Sequence, residues 1–431
     1  MTTVVIGGGI AGATAALRLA RAGEQVTLLE AGDALGGLVV SFSIGGTPLE
    51  CFYHHVFPHE HEVIGLIDEL GLELTWLPSS VGVLTNGRLW PFTGAVDLLR
   101  FGPMTPVQRV LAGVGALRLG REKDWQSLDA VSALDWLASK TGPSAAREIW
   151  TPLLRAKFGS ASSGVPAAWM WGRITQRLGA RKGKGEKLGY LRGGFRQLFD
   201  RLAEELAAAG VTVHTQTRAQ SIAHDGVRVT GVVSNAGTHV ADAVLFAGAI
   251  SGLPKLVDAP HADARWDQQG LGVVVLVLEH TTPISDIYWT NVCDERIPFG
   301  GIIEHTNLLP REDYGTYVTY LSRYYPPGED IGTADLDEVA EEWLSAMAAH
   351  HPGFDRSTVT KVHTFRVPYA APLVQLGHLS RIPPLRADLA GLYVCTTAQI
   401  YPQDRGMSEG VRTGTDAAAA IIADAPGRVT A

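Results

Sequence analysis

Thr3-Val4-Val5-Ile6-Gly7-Gly8-Gly9-Ile10-Ala11-Gly12 opens the chain, and its reading decides the fold. The first four residues are all β-branched and read as a short buried strand. Ala13 to Arg21 follows with a helical pattern that stops at Gly23, and Gln25-Val26-Thr27-Leu28-Leu29 reads as a second strand ending on Glu30. Gly7 permits the tight turn out of the strand, Gly9 lets a pyrophosphate reach the backbone, and Gly12 lets the helix pack close to the sheet. Ile10 and Ala11 fall at the helix start, where backbone amides carry partial positive charge suited to a diphosphate. Glu30, followed by Ala31, can accept hydrogen bonds from an adenosine ribose. The spacing predicts a dinucleotide-binding α/β unit. A glycine-rich turn without a ligand is the plainer alternative, and the strand, helix and terminal acid weigh against it. No Lys-Ser/Thr pair follows the glycines, which excludes a mononucleotide P-loop.

The composition sets bounds. At 431 residues, 46% hydrophobic and 19% charged, the chain has material for two or three globular domains. A net charge of −8 argues against a general nucleic-acid binder. No apolar run approaches the ~20 residues of a membrane span. The first strand starts so early that no signal peptide is expected, and Cys51, Cys293 and Cys395 are isolated, so a reducing cytoplasm is the expected compartment.

A second diglycine, Gly36-Gly37, comes soon after Glu30 and is followed by Leu38. The succession of glycine turn, acid and GG turn resembles the FAD-binding start of the amine oxidase, protoporphyrinogen oxidase and phytoene desaturase superfamily. Leu35 and Leu38 stand where many members carry Arg. The C-terminal segment resembles the closing motif of the same family. There a buried strand, Gly391-Leu392-Tyr393-Val394-Cys395, leads through Gln399 to Asp404-Arg405-Gly406-Met407 and a helix from about 408 to 422. Thr396-Thr397 occupies the place where many relatives have Gly-Asp. Ala241 to Gly248 resembles the strand that returns to the FAD sheet, so Thr217 to Ala219 would run beside the adenine.

The resemblance implies an α/β fold with a discontinuous Rossmann-type FAD-binding domain from residues 1–75, 190–255 and 386–431. An α+β substrate domain would come from 76–189, mainly helical, and 256–385, sheet plus helix. Within these, Asn86-Gly87 signals a hairpin, 271–279 and 316–324 read as strands, and 335–350 as a helix. Thr364 to Pro372 reads as an irregular connector carrying Arg366 and Tyr369, two candidate catalytic residues. Residues 107–120 form an amphipathic stretch whose plainer reading is a core-facing helix, with membrane contact as the sharper one.

The function implied is an FAD-dependent oxidoreductase that removes a hydride from a small organic substrate in a biosynthetic pathway. Oxygen, a quinone or another protein would take the electrons. Trp171 and Arg173 are candidate substrate contacts. So are Arg181 and Lys184, in a glycine-spaced basic run that is either a solvated loop or a clamp for an anion. Arg173, Arg177, Arg181 and Lys184 keep alive a redox-neutral reading that resembles UDP-galactopyranose mutase. A binding protein on the same fold, which does not use the flavin, is a further alternative. His54 and His55, flanked by Tyr53 and Phe57, are expected beside the flavin, where a histidine of ordinary pKa ~6.5 suits proton transfer. His59 and His61 are expected to face solvent, and the HHxxxHxH spacing fits no zinc pattern, so no metal is expected.

Overall fold

The computed structural model describes residues 1–119, 121–180 and 187–425. Arg181 and Lys184 lie outside them.

Thr2–Ile6 sits in the middle of a five-stranded parallel sheet. Its neighbours are Ala243–Phe246 and then Leu392–Val394 on one side, Gln25–Leu29 and then Thr212–His214 on the other. Strands covered on both faces read as continuous aliphatic runs, and here the alternation divides them between two cores. Val5, Leu28 and Leu245 meet the helices Ile10–Arg21, Arg196–Ala208 and Met407–Ala423, whereas Val4, Leu29 and Val244 meet the antiparallel meander of Ala219–His224, Val229–Ser234 and Gly237–Val240.

A second sheet has seven strands. Gly270–His280 lies between Tyr317–Tyr325 and the edge strand Val359–Pro372, and beyond Tyr317–Tyr325 come Gly301–Glu304, Trp289–Val292, Val81–Thr85 and Arg88–Pro91. The same alternation operates. Val273, Val275 and Val277 face the core shared with the first sheet, and Val274, Leu276 and Leu278 face the helix Leu336–His350. That helix starts where expected because Asp335 accepts bonds from the amides of Asp337 and Glu338. The hairpin at Asn86-Gly87 also forms as expected, with φ of 52° and 68°.

Two readings need correction. Thr364 to Pro372 is no irregular connector but the second half of a fourteen-residue strand. Pro368 is tolerated because the strand is at the sheet edge and its register shifts opposite Leu271 and Val273. The helix Pro106–Leu119 is not core-facing in the ordinary sense. It buries Ala112, Gly115 and Leu119 and turns Val107, Val110, Leu111, Val114 and Leu117 outward. A β-carbon at Gly115 would lie 2.2 Å from the Lys140 carbonyl oxygen, so a close backbone contact, not aliphatic packing, fixes its rotation.

Glu50, at the end of the short strand Thr47–Glu50, ties the segment leading into the helix Arg196–Ala208 to the second sheet. Its buried carboxylate accepts the Tyr190 hydroxyl at 2.5 Å and the Phe195 amide at 2.6 Å, and its carbonyl accepts the Tyr320 hydroxyl at 2.8 Å. Burial pushes this carboxyl up to about 7 despite those donors. The folded chain therefore holds a proton on Glu50 between pH 4.5 and 7 that the unfolded chain releases. The stability this contributes is complete below pH 4.5 and is lost as pH rises toward 7. Glu50→Gln keeps an acceptor without a charge to bury. Its stability in urea titrations should fall less than that of the parent between pH 5 and 8, by on the order of 3 kcal/mol.

Candidate active site

The opening turn is built where only glycine fits. Gly7 has φ of +109°, and a β-carbon at Gly12 would lie 2.0 Å from the Gly7 carbonyl oxygen. Gly9 precedes the helix Ile10–Arg21, whose start has no side-chain cap and no acid in its first turn. The second diglycine folds over it. Gly36 donates to the Gly8 carbonyl at 3.0 Å, and a β-carbon at Gly37 would be 3.0 Å from the Gly9 Cα. Glu30 accepts from the Gly8 amide at 2.7 Å and the Gly32 amide at 2.6 Å, which leaves each oxygen a second lone pair. Ala31 is exposed beside it, Leu38 is half-buried after the GG turn, and the Thr217 amide bonds the Glu30 carbonyl, so the run leading to Ala219 passes alongside.

The closing helix Met407–Ala423 crosses the first helix at glycines. β-Carbons at Gly410 and Gly414 would lie 2.5 Å from Ile10 Cγ2 and 2.3 Å from the Ala11 carbonyl oxygen. Gly406 and Met407, which start the closing helix, are thereby brought next to the start of the first. This cradle fits FAD: an uncapped helix start and a glycine-lined backbone for the diphosphate, with a carboxylate for the ribose. Gly410 and Gly414 escaped the sequence reading, although their four-residue spacing was the signal.

Beyond Gly406 lies a half-buried group of aromatic and charged side chains. Arg405 donates to the Tyr324 hydroxyl at 3.1 Å, and Tyr324 is 3.5 Å from the Tyr53 hydroxyl. Tyr53 stands edge-on to Trp289, with ring centroids 5.0 Å apart. His54 is locked, its Nδ1 2.5 Å from the Phe52 carbonyl. Burial, helped by Arg405, lowers its pKa to about 4, so the ordinary value expected from sequence does not hold and the ring is neutral at physiological pH. With Nδ1 carrying the proton, Nε2 is left as an acceptor. His55 stands in a box of Phe57, Tyr288 and Trp289, its Nδ1 3.3 Å from the Tyr288 hydroxyl. His61 is exposed as expected, but His59 is half-buried and stacks on Phe57. The four do not converge as metal ligands. Among the described residues the group with such spacing is His224, Asp258 and His261, far along the chain in the meander and the turn after it.

Asp404 accepts from both Lys157 and Arg173. Burial would raise its carboxyl, yet the two cations and Arg405 hold it well below the usual range. Lys157 is lowered to about 8, by burial and then by its cationic neighbours, with Asp404 opposing. The face of Trp169 carries both cations, 4.9 Å from Lys157 and 5.6 Å from Arg173. Trp171 is set apart. It stacks on Trp125 and donates to the Glu122 carbonyl at 3.0 Å. Tyr369 lies over Gly270, where a β-carbon would touch its ring at 2.2 Å, and burial raises its hydroxyl to about 12. Arg366 is diverted from the position expected of it. Strand alternation puts it on the opposite face from Phe365 and Val367, and it donates to the carbonyls of Ile331 and Ala334. Gln399 is likewise engaged locally, closing the turn after Val394 through bonds to the Thr396 amide and the Val394 carbonyl.

The comparisons agree with this architecture. A putative protoporphyrinogen oxidase from Exiguobacterium sp. 255-15 superposes with a TM-score of 0.76 over 98% of this chain and 99% of its own at 20% identity. A reduced UDP-galactopyranose mutase superposes with 0.79 over 99% and 96% at 16%. Those identities bear on the fold alone. In sequence, the putrescine oxidase of Kocuria rosea is 31% identical over 153 residues, 33% of this chain and 32% of that one. The match thus spans about a third of that relative's length. The profile of the family "Flavin containing amine oxidoreductase" matches residues 10–422. With the glycine cradle and its two converging helices, that match makes the chain an FAD-dependent member of the flavin-containing amine oxidoreductase family.

Proposed function

We propose that the protein oxidises a small organic molecule, removing a hydride from a C–N, C–O or C–C bond as a step of a biosynthetic pathway. FAD, when bound, supplies the two-electron acceptor. The observation that carries this reading is the half-buried group of Tyr53, His54, Tyr324 and Arg405, joined through Gly406 to the closing helix that packs on Ile10. Its aromatic walls suit an organic substrate. Asp404, with Lys157 and Arg173, fixes the loop that carries Arg405. Hydride removal from an amine or alcohol leaves a proton. His55 is assigned to that proton, because desolvation lowers His54 to about 4 and so makes that ring a weak base. The cations Lys157 and Arg173 also suit a redox-neutral reaction on a sugar nucleotide, though both are engaged by one carboxylate.

The purified protein should be yellow with one FAD per chain, and Gly9→Val should empty the site by placing a branched side chain at the crevice; absorbance spectra after FAD incubation check both. Anaerobic incubation with candidate amines, alcohols and alkenes should bleach the flavin without dithionite. A protein that turns over a sugar nucleotide only after prior reduction would reverse the assignment. His55→Phe should slow flavin reduction by about 100-fold while FAD stays bound, as stopped-flow traces would read. Asp404→Asn strands two cations and should destabilise the fold by about 3–5 kcal/mol, with part of the loss recovered on adding Lys157→Met, as measured in a double-mutant cycle.

A further inference from the structure

Two imidazoles and a carboxylate meet on the meander side of the FAD sheet. His224 ends the strand Ala219–His224, and Asp258 and His261 lie in the turn that follows Ile250–Lys255. Backbone bonds bring the two segments together: the Ile222 amide donates to the Leu256 carbonyl at 2.7 Å, and the His261 amide to the Asp258 carbonyl at 3.0 Å. The meeting therefore does not depend on the side chains. One Asp258 oxygen lies 3.2 Å from His224 Nε2 and 4.0 Å from His261 Nε2, and the two rings stand edge-on with centroids 4.7 Å apart. The three donor atoms all lie within 4.8 Å of one another.

A tetrahedral ion with bonds of about 2.0–2.2 Å holds its donor atoms about 3.3–3.6 Å apart, so His224 and Asp258 are close to that spacing and His261 reaches it by moving about 1 Å. A hydrogen bond accounts for the first histidine but not for the second, whose Nε2 is beyond bonding distance of the same oxygen. One contact opposes coordination. His224 Nδ1 accepts the Gly226 amide at 3.1 Å, which puts the ring proton on Nε2, and coordination through Nε2 moves that proton to Nδ1. The bond given up is exposed and its amide can turn to water, so three metal–ligand bonds outweigh it. The donors also choose the ion. Two imidazoles and one carboxylate, with no thiolate, suit zinc, whereas calcium or magnesium takes a shell of oxygens. The Asp258 side chain is 53% exposed, and His261 lines an open cavity of about 320 Å³ with Gly226, Val227 and Asp388. Water thus reaches the donors and can fill the fourth position.

We propose that His224, Asp258 and His261 bind one zinc ion, which clips the end of the meander strand to the turn after Ile250–Lys255. The test takes the FAD-loaded protein, strips it with a chelator, dialyses it against zinc chloride and counts the bound metal, with melting curves taken alongside. Saturable binding of one zinc per chain is expected, together with a rise in melting temperature. His261→Ala and Asp258→Asn should each weaken zinc binding by at least about tenfold and remove that rise. His61→Ala, which changes an exposed histidine elsewhere, should alter neither. Asp258→Asn keeps an acceptor for His224, so its FAD content and its melting temperature in the chelator should match the parent's and show that the fold is intact. No saturable zinc binding overturns the proposal. So does zinc held by both site variants as tightly as by the parent, which leaves Asp258 as a hydrogen-bond partner of His224 and nothing more.

Discussion

The Gly7 carbonyl oxygen stands 2.0 Å from where a β-carbon on residue 12 would sit, and the cofactor half of the molecule is assembled on that approach. Once strand, turn and helix are this close, the Gly36-Gly37 turn can lie on Gly9 and the closing helix can cross at Ala11. Each of these contacts is backbone against backbone, so none tolerates a side chain. The result is a crevice lined by amides and α-carbons, the kind of surface that a diphosphate can reach and that side chains would obstruct.

Charge is handled differently on the other side of Gly406. Here partly buried ionisable groups are held by one another, as Asp404 holds Lys157 and Arg173, or are kept neutral, as desolvation keeps His54. Such arrangements are expensive to desolvate and are best attested where position matters more than stability. Glu50 extends the same logic to the scaffold. One carboxylate joins the chain before the histidines to the residues before the helix Arg196–Ala208 and, through its carbonyl, to the second sheet.

How much of this was legible followed from range. The opening strand, turn and helix are local, and Gly7, Gly12 and Glu30 announced them. The Asn86-Gly87 turn and the helix over 335–350 were legible for the same reason. Thr364 to Pro372 was missed because a strand with two prolines is permitted only at a sheet edge, and edge position is a tertiary fact. Arg366 was misplaced for want of a register, since a shift of one residue exchanges the two faces of a strand. The helix Pro106–Leu119 has the apolar period of a core helix. Only the contact of Gly115 with Lys140 reveals that its small face points inward.

The closing helix has a consequence for how the protein comes into being. The first helix is made almost four hundred residues before Gly406, Gly410 and Gly414. At about 5–20 residues per second, roughly 20–80 seconds separate the two halves of the crevice on the ribosome. Through that interval the nascent chain carries an unfinished parallel sheet whose strands are meant to be covered on both faces. Cofactor capture therefore follows synthesis of the closing helix. Any pause late in synthesis leaves an apolar surface open to chaperones or to aggregation, not to FAD.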